Sequence, residues 1–342
     1  MELLQISKTD FLAFVQTLIA SSIHVIGVVK KDDRFIYDGI DDAAQLSLDY
    51  DETLLPPKAF LMPQHETLLT FTPKDPGSYK DVRDTQQRVI IGVHPGDLAA
   101  IALLDRAFSE GTSDGNYLSR RARTLLIGMF PTRPYKYRFT SSMIRDEAYK
   151  AADCMLVDCG NGTYAVEVVT PKGKQLFNAG AAKPASSETA EKSRQMKNAV
   201  KDEISLPMDR DSVPAFLDGK ERHGVWETLA KKCFSCGSCV LVCPTCYCFD
   251  VQDEVDLSLT TGKRIRTWDG CTLKDFALAA GGHNFRKTPA DRIRHRLYRK
   301  QKFLLERFGL PGCVGCGRCK RACVPDIAYP VDILAAMKEK ED

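Results

Sequence analysis

Apolar residues recur at helical spacing near the start of the chain. Leu12, Val15, Leu18 and Ile19 share one face of a segment running from Phe11 to Ile19, which predicts an amphipathic helix. The pattern then shortens. His24 to Lys30 and Phe35 to Tyr37 read as two strands around the charged turn Lys31-Asp32-Asp33. Arg88 to Val93 is a short apolar strand. The helix after it is expected to be capped by Asp97, with Leu98, Ile101, Leu104 and Phe108 on its apolar face. Tyr117 to Arg123 continues helically into a strand at Thr124 to Phe130. Met155 to Val157 and Tyr164 to Val169 predict a hairpin turning at Asn161-Gly162.

Beyond residue 180 the periodicity fades. Residues 181 to 202 are rich in Ala, Ser, Glu and Lys, and read as a polar loop followed by an exposed helix from about Ser186. Pro207 and Pro214 then interrupt the chain. The remaining residues read as helix and loop: a short helix at Val225 to Lys231, helical stretches at Phe276 to Ala280 and Ala290 to Phe308, and a last helix from Pro330 to about Lys338.

Composition narrows the class. The chain has 342 residues, enough for two domains, with 44% hydrophobic and 27% charged residues, as in a soluble globular protein. A net charge of +3 makes no case for nucleic acid. No apolar run reaches the roughly 18 residues of a membrane helix. The N-terminal stretch carries Glu2 and lacks a basic n-region, so it reads as a helix and not as a signal peptide. Thirteen cysteines are too sparse for a disulfide scaffold, and they cluster. A reducing cytoplasm, and an anaerobe, are the expected setting.

The clustering carries the chemistry. Cys233, Cys236, Cys239 and Cys243 repeat the spacing of Cys313, Cys316, Cys319 and Cys323, each run reading C-x2-C-x2-C-x3-C. In bacterial two-cluster ferredoxins this run grips three irons of one cubane, and its fourth cysteine ligates the other. The ligand sets expected are therefore Cys233, Cys236, Cys239 and Cys323 for one 4Fe–4S cluster, and Cys313, Cys316, Cys319 and Cys243 for the second. Zinc is the alternative, but a structural zinc site uses two cysteine pairs and gives the third regularly spaced cysteine no role. Roughly 70 residues separate the runs, more than a compact ferredoxin allows. The segment between them is a candidate for partner docking or for a further site.

Cys246, Cys248 and Cys271 lie in that segment. They either help bind a third metal or line the cluster cavity as uncharged thiols. Cys154 and Cys159 read as core residues. The stretch His283 to Lys287 and the helix carrying Arg292, Arg294, His295, Arg296, Arg299, Lys300 and Lys302 are strongly basic. About half of these read as a solvated face, and the rest as charge compensation for anionic clusters. The chain contains no G-x-G-x-x-G after a strand, no P-loop, no H-E-x-x-H and no G-x-S-x-G. It offers no catalytic residue and no nicotinamide or flavin fingerprint of its own.

Several segments together resemble a known family. Cys243-Pro244-Thr245-Cys246-Tyr247-Cys248, Trp268-Asp269-Gly270-Cys271, Gly281-Gly282-His283-Asn284-Phe285-Arg286 and Cys313-Val314-Gly315-Cys316-Gly317-Arg318-Cys319 are similar to the β subunit of cytoplasmic sulfhydrogenases and to the corresponding iron–sulfur subunit of anaerobic sulfite reductase. Gly92-Val93-His94-Pro95-Gly96-Asp97-Leu98 and Leu104-Asp105-Arg106-Ala107-Phe108 extend the similarity into the first half. The resemblance implies iron–sulfur wiring between a flavin subunit that handles NAD(P)H and a catalytic subunit that handles hydrogen or sulfite. It implies no turnover by this chain alone. Many relatives have cysteine where this chain has Gly96, and Cys-Phe-Cys where it has Arg138-Phe139-Thr140. Any cluster those cysteines hold is then lost here.

The fold expected is α+β: an N-terminal α/β docking domain at 1–180, a linker or arm at 181–224, and a helical domain at 225–342 carrying a ferredoxin-like two-cluster module with an insertion at 249–308. Two other functions stay open, a scaffold in an electron-bifurcating complex and an autonomous flavin-binding iron–sulfur oxidoreductase.

Overall fold

The computed structural model describes residues 2–178, 182–197 and 199–339. Residue 181, the first of the expected linker, lies outside them.

The first half is built on an eight-stranded mixed sheet. Its strands are β1 (Glu2–Ser7), β2 (His24–Lys31), β3 (Arg34–Gly39), β6 (Arg88–Val93), β7 (Thr124–Met129), β8 (Cys154–Asp158), β9 (Thr163–Val168) and the short β10 (Lys183–Pro184), in the order β10-β1-β9-β8-β7-β6-β2-β3. The centre is parallel, β2 with β6, β6 with β7 and β7 with β8, while the flanks are antiparallel. All six residues of β6 are buried, as expected of a central parallel strand covered on both faces.

The strand and hairpin boundaries read from the sequence agree closely with this sheet, with two omissions, β1 and the two-residue β10 in what reads as a polar loop. The chain begins with strand β1, and the helix α1 follows at Lys8–Ala20, capped by the Ser7 hydroxyl on the Asp10 N–H. The alternating burial of Glu2 to Ser7 is too short a signal to stand out beside a helical period.

Helix α2 runs over Pro95–Ser109. It starts earlier than a cap at Asp97 would put it. His94 occupies the N-cap, Pro95 the first turn, and the Asp97 carboxylate is turned to Arg318 instead. The expected apolar face, Leu98, Ile101, Leu104 and Phe108, packs among the sheet residues. The opposite face is buried too. Ala99 and Ala100 meet Val314 and Cys316, and Leu103 meets Leu304 and Leu310. A helix apolar all round has to be covered all round, and the second cysteine run supplies the outer cover. Helix α3 (Gly115–Ala122) packs beside it.

A second sheet crosses the sequence. Strands β4 (His65–Phe71) and β5 (Lys80–Asp81) from the first half join β11 (Phe249–Val255) and β12 (Gly262–Trp268) from between the cysteine runs, in the order β11-β12-β4-β5, all antiparallel. The segment 249–308, read from the sequence as helix and loop, thus opens with a hairpin. Phe249, Val251 and Val255 alternate along β11, a signal that polar neighbours diluted. The β4–β12 seam is sealed by buried charge. Arg266 meets Glu66 and Asp114, Arg120 Nη2 lies 3.0 Å from Glu66, and Trp268 Nε1 donates to the Met62 carbonyl at 2.9 Å.

Farther on, Phe276 to Ala280 does not form the expected helix. Leu278 bridges Asn284 across a tight loop whose Gly281 and Gly282 have φ of 80° and 76°. Residues 289–308 are helical throughout, with a wider π turn at Arg299–Phe303. Among the described residues no helix is long and apolar enough to cross a membrane.

Candidate iron–sulfur centres

The two cysteine loops repeat each other in backbone conformation as well as in sequence. Two residues after the first cysteine of each run, Ser235 and Gly315 have φ of 53° and 66°. Four residues after it, Gly237 and Gly317 have φ of 77° and 76°. Left-handed turns at both positions curl the loop, so that its amides face inward on the sulfurs. The Ser235 N–H lies 3.4 Å from Cys233 Sγ. Gly315 and Gly317 leave no room for a side chain, since a Cβ would come within 2.5 Å of the Phe139 carbonyl oxygen and 2.4 Å of that of Tyr137. The second loop is thereby pressed onto residues 137–140, and the Phe139 N–H donates to the Gly315 carbonyl at 2.8 Å.

The fourth cysteines cross over. Cys233, Cys236 and Cys239 line one cavity together with Cys323, from the other run. Cys243 in turn lies close enough to Cys313, Cys316 and Cys319 to act on the charge of each. Burial pushes the Cys313 thiol up to about 12, with Cys319 beside it adding to the rise. Cys243 is held well below the usual thiol range, first by the Cys246 thiol next to it and further by Lys300 and Arg296. Cys236 is the one exposed member, and the Ser238 hydroxyl 3.3 Å away pulls its thiol down.

The basic helix divides by spacing. Arg292, Arg296 and Lys300, four residues apart, are all buried, whereas Arg294 pairs with Asp291 and Lys302 with Asp218 on the outer side. Arg296 stands between the two cysteine groups, with Cys239, Cys319 and Cys243 as its nearest negative partners. Its Nη1 donates to the Ala328 carbonyl, yet its Nε is buried without a partner. Lys300 donates to the Thr245 hydroxyl at 2.7 Å, itself 3.2 Å from Cys243 Sγ. Lys58, from the first half, donates to the Cys246 carbonyl at 2.7 Å and lies 4.0 Å from the Trp268 ring. Burial draws it down to about 8. Buried cations with an orphaned donor, set around buried soft thiols, fit anionic iron–sulfur groups. Glu52 and Lys58 were invisible as site residues in the sequence, because they lie far from the cysteine runs along the chain and only the tertiary fold brings them in, and Arg318, though inside the second run, carried no sign of its partners.

Arg318 has no solvent exposure. It grips Asp97 bidentately at 2.6 and 2.7 Å, meets Glu52, and donates to the Thr53 carbonyl and hydroxyl. It bolts the second cysteine loop to the first half of the chain.

Cys246 and Cys271 are buried with Val240, against Cys239, Cys243 and Phe276. Cys248 is near Cys271, whose thiol burial pushes up to about 11. The three line the wall behind the cysteine loops, and among the described residues no three Cys, His, Asp or Glu side chains converge on the space of a single metal ion. A cubane, by contrast, spreads its thiolates over four irons. Cys154 and Cys159 are buried in the first sheet. Gly96 and Thr140, the positions where relatives are expected to carry cysteines, do meet: a Cβ on Gly96 would lie 3.4 Å from Thr140 Oγ1.

Comparison with known proteins agrees with this geometry. Residues 232–327 match the 4Fe–4S dicluster domain family. Sulfhydrogenase 2 subunit beta of Pyrococcus furiosus is 30% identical over 317 residues, 92% of this chain and 92% of that one. The chain belongs to the sulfhydrogenase β-subunit family. As a member of that family it is an iron–sulfur, electron-transfer type of hydrogenase subunit, and the match spans both halves of the fold.

Proposed function

We propose that this sulfhydrogenase β-type chain holds two 4Fe–4S clusters and relays electrons between a flavin subunit that handles NAD(P)H and a catalytic subunit of hydrogenase or sulfite reductase type. The observation that carries the reading is the crossed cysteine arrangement, in which Cys323 joins the first loop and Cys243 faces the second. Such clusters supply one-electron transfer over short distances. The chain's own residues do the rest: Cys233, Cys236, Cys239 and Cys323 hold one cluster, Cys313, Cys316, Cys319 and Cys243 the other, and Arg296 offsets charge between them.

The first set is the one nearer solvent. Beside exposed Cys236, Phe234 is 69% exposed, and Val324, next to Cys323, is 82% exposed, an apolar rim unusual for side chains this large. The second set is enclosed by α2 and residues 137–140. Electrons therefore exchange with one partner at the Phe234–Val324 rim.

The test is anaerobic purification of the native complex, with iron, sulfide, flavin, nickel and sirohaem determined. About eight irons per chain are expected, with flavin and either nickel or sirohaem on other subunits. Cys236→Ser is expected to remove or convert one cluster, cutting cluster content by up to half, and to block electron flow between the partners. Unimpaired transfer in that variant sinks the ligand assignment.

A further inference from the structure

A cavity of about 540 Å³ opens beside Cys316. It lies past the carboxyl ends of β6 and β7, with His94 leaving the one and Phe130 and Pro131 the other. Open α/β sheets bind ligands at this end of their parallel strands. The amino end of the 15-residue helix α2 enters the same space at Gly96 and Asp97, and no side chain caps it. Its free amides favour negative charge.

The walls give the second, independent observation. His94 is 5% exposed and lines the cavity, yet neither ring nitrogen has a hydrogen-bond partner. Its ring is stacked on Tyr50 at 4.0 Å between centroids, so its orientation is fixed. Arg138 is 4% exposed and also lines the cavity. Its Nε is held by Asp202 at 2.7 Å, but Nη1 has no partner. Buried donors left unpaired are destabilising unless a ligand meets them. Lys201 adds positive charge to the rim, and Arg145 and Lys197, also on it, are paired with Asp211 and Glu167. The carboxylates present are already engaged: Asp202 by Arg138, and Glu52 and Asp97 by Arg318.

We infer that this cavity is a binding site for an oxyanion of the phosphate or sulfate class, either free or as the phosphate of a nucleotide. The anion accepts from the α2 amides, from Arg138 Nη1 and from His94, and sits against the Cys316 side of the second cysteine loop. Given the proposed role of Cys316 as a cluster ligand, its negative charge lowers the potential of that cluster. This last point rests on the relay reading, whereas the binding itself does not.

Calorimetric titration of the full chain, purified anaerobically, with inorganic phosphate, sulfate and ADP in separate arms tests the site. Saturable binding at one equivalent is expected, with Kd at or below about 1 mM. ADP binding more tightly than phosphate supports a nucleotide phosphate, and phosphate or sulfate binding as well as ADP supports a free oxyanion. Arg138→Gln is expected to raise Kd at least tenfold. Because Arg138 also holds Asp202, Ser141→Glu serves as the second variant: Ser141 is exposed on the cavity rim, its main-chain N–H donates to Asp202 at 2.7 Å and is kept by the substitution, and the added carboxylate repels the anion. Absence of saturable binding in all three arms, or unchanged affinity in folded Ser141→Glu, overturns the proposal. Iron is determined on the same samples, so loss of clusters and loss of anion binding are read separately.

Discussion

His295 sits on the basic helix between residues that face opposite ways. Burial lowers its imidazole to about 4, and Arg286, Arg299 and Arg294 around it add to the fall. The group thus binds fewer protons folded than unfolded between pH 6.5 and 4. Stability gained by keeping it neutral is complete above pH 6.5 and is lost as pH falls through that window. At about 1.36 kcal/mol per pH unit, discounted because the ring is partly exposed, His295 removes about 1 kcal/mol between pH 7 and pH 5. Denaturant melts of wild type and His295→Gln at the two pH values check this, and the variant is expected to lose that much less. At this scale the sequence was informative where chemistry demands spacing. The repeated cysteine spacing pointed to the dicluster domain that residues 232–327 match, and the basic helix reads as about half solvated face and half charge compensation, with no sign of which residues are which. The partners that come from distant loops, Glu52 and Lys58, follow no period and were not legible.

The elements were legible where they were local. Strand β6, helix α1 and the β8–β9 hairpin each carry their own pattern, and each lies where the pattern put it. The β11–β12 hairpin was missed because its partner on the inner side is β4, some 200 residues away, and the burial that defines it comes from that pairing. Two neighbours on β12 now separate inner from outer electrostatics. Arg266 is 1% exposed and binds Glu66 and Asp114, whereas Arg264 pairs with Asp253 in solvent. Arg266→Leu leaves Asp114 without a cation and Glu66 dependent on Arg120 alone, and is expected to destabilise the protein by about 3 kcal/mol or more. Arg264→Leu is expected to leave the denaturation midpoint within experimental scatter. Equal effects from the two substitutions would show that the seam is not held by buried charge.

The whole molecule is less divisible than its cysteine distribution suggests. The second sheet shares strands between the halves, Arg318 ties the second loop to Asp97 and Glu52, and the outer face of α2 is covered largely by residues 304–316, with Ile144 and Tyr247 beside them. Residues 1–220 expressed alone are therefore expected to lack a cooperative unfolding transition and to be cleaved rapidly by protease, while the intact chain melts in one step. A sharp melt of the fragment matching part of the intact transition would establish two independent folding units.

The β4–β12 pairing also constrains how the protein is made. Translation adds roughly 5–20 residues per second, so β4 leaves the ribosome about 10–40 seconds before β12 exists. Through that interval the nascent first half presents an unpaired strand edge and the bare apolar outer side of α2. Newly made chains will need a holding chaperone to reach the finished sheet without aggregating.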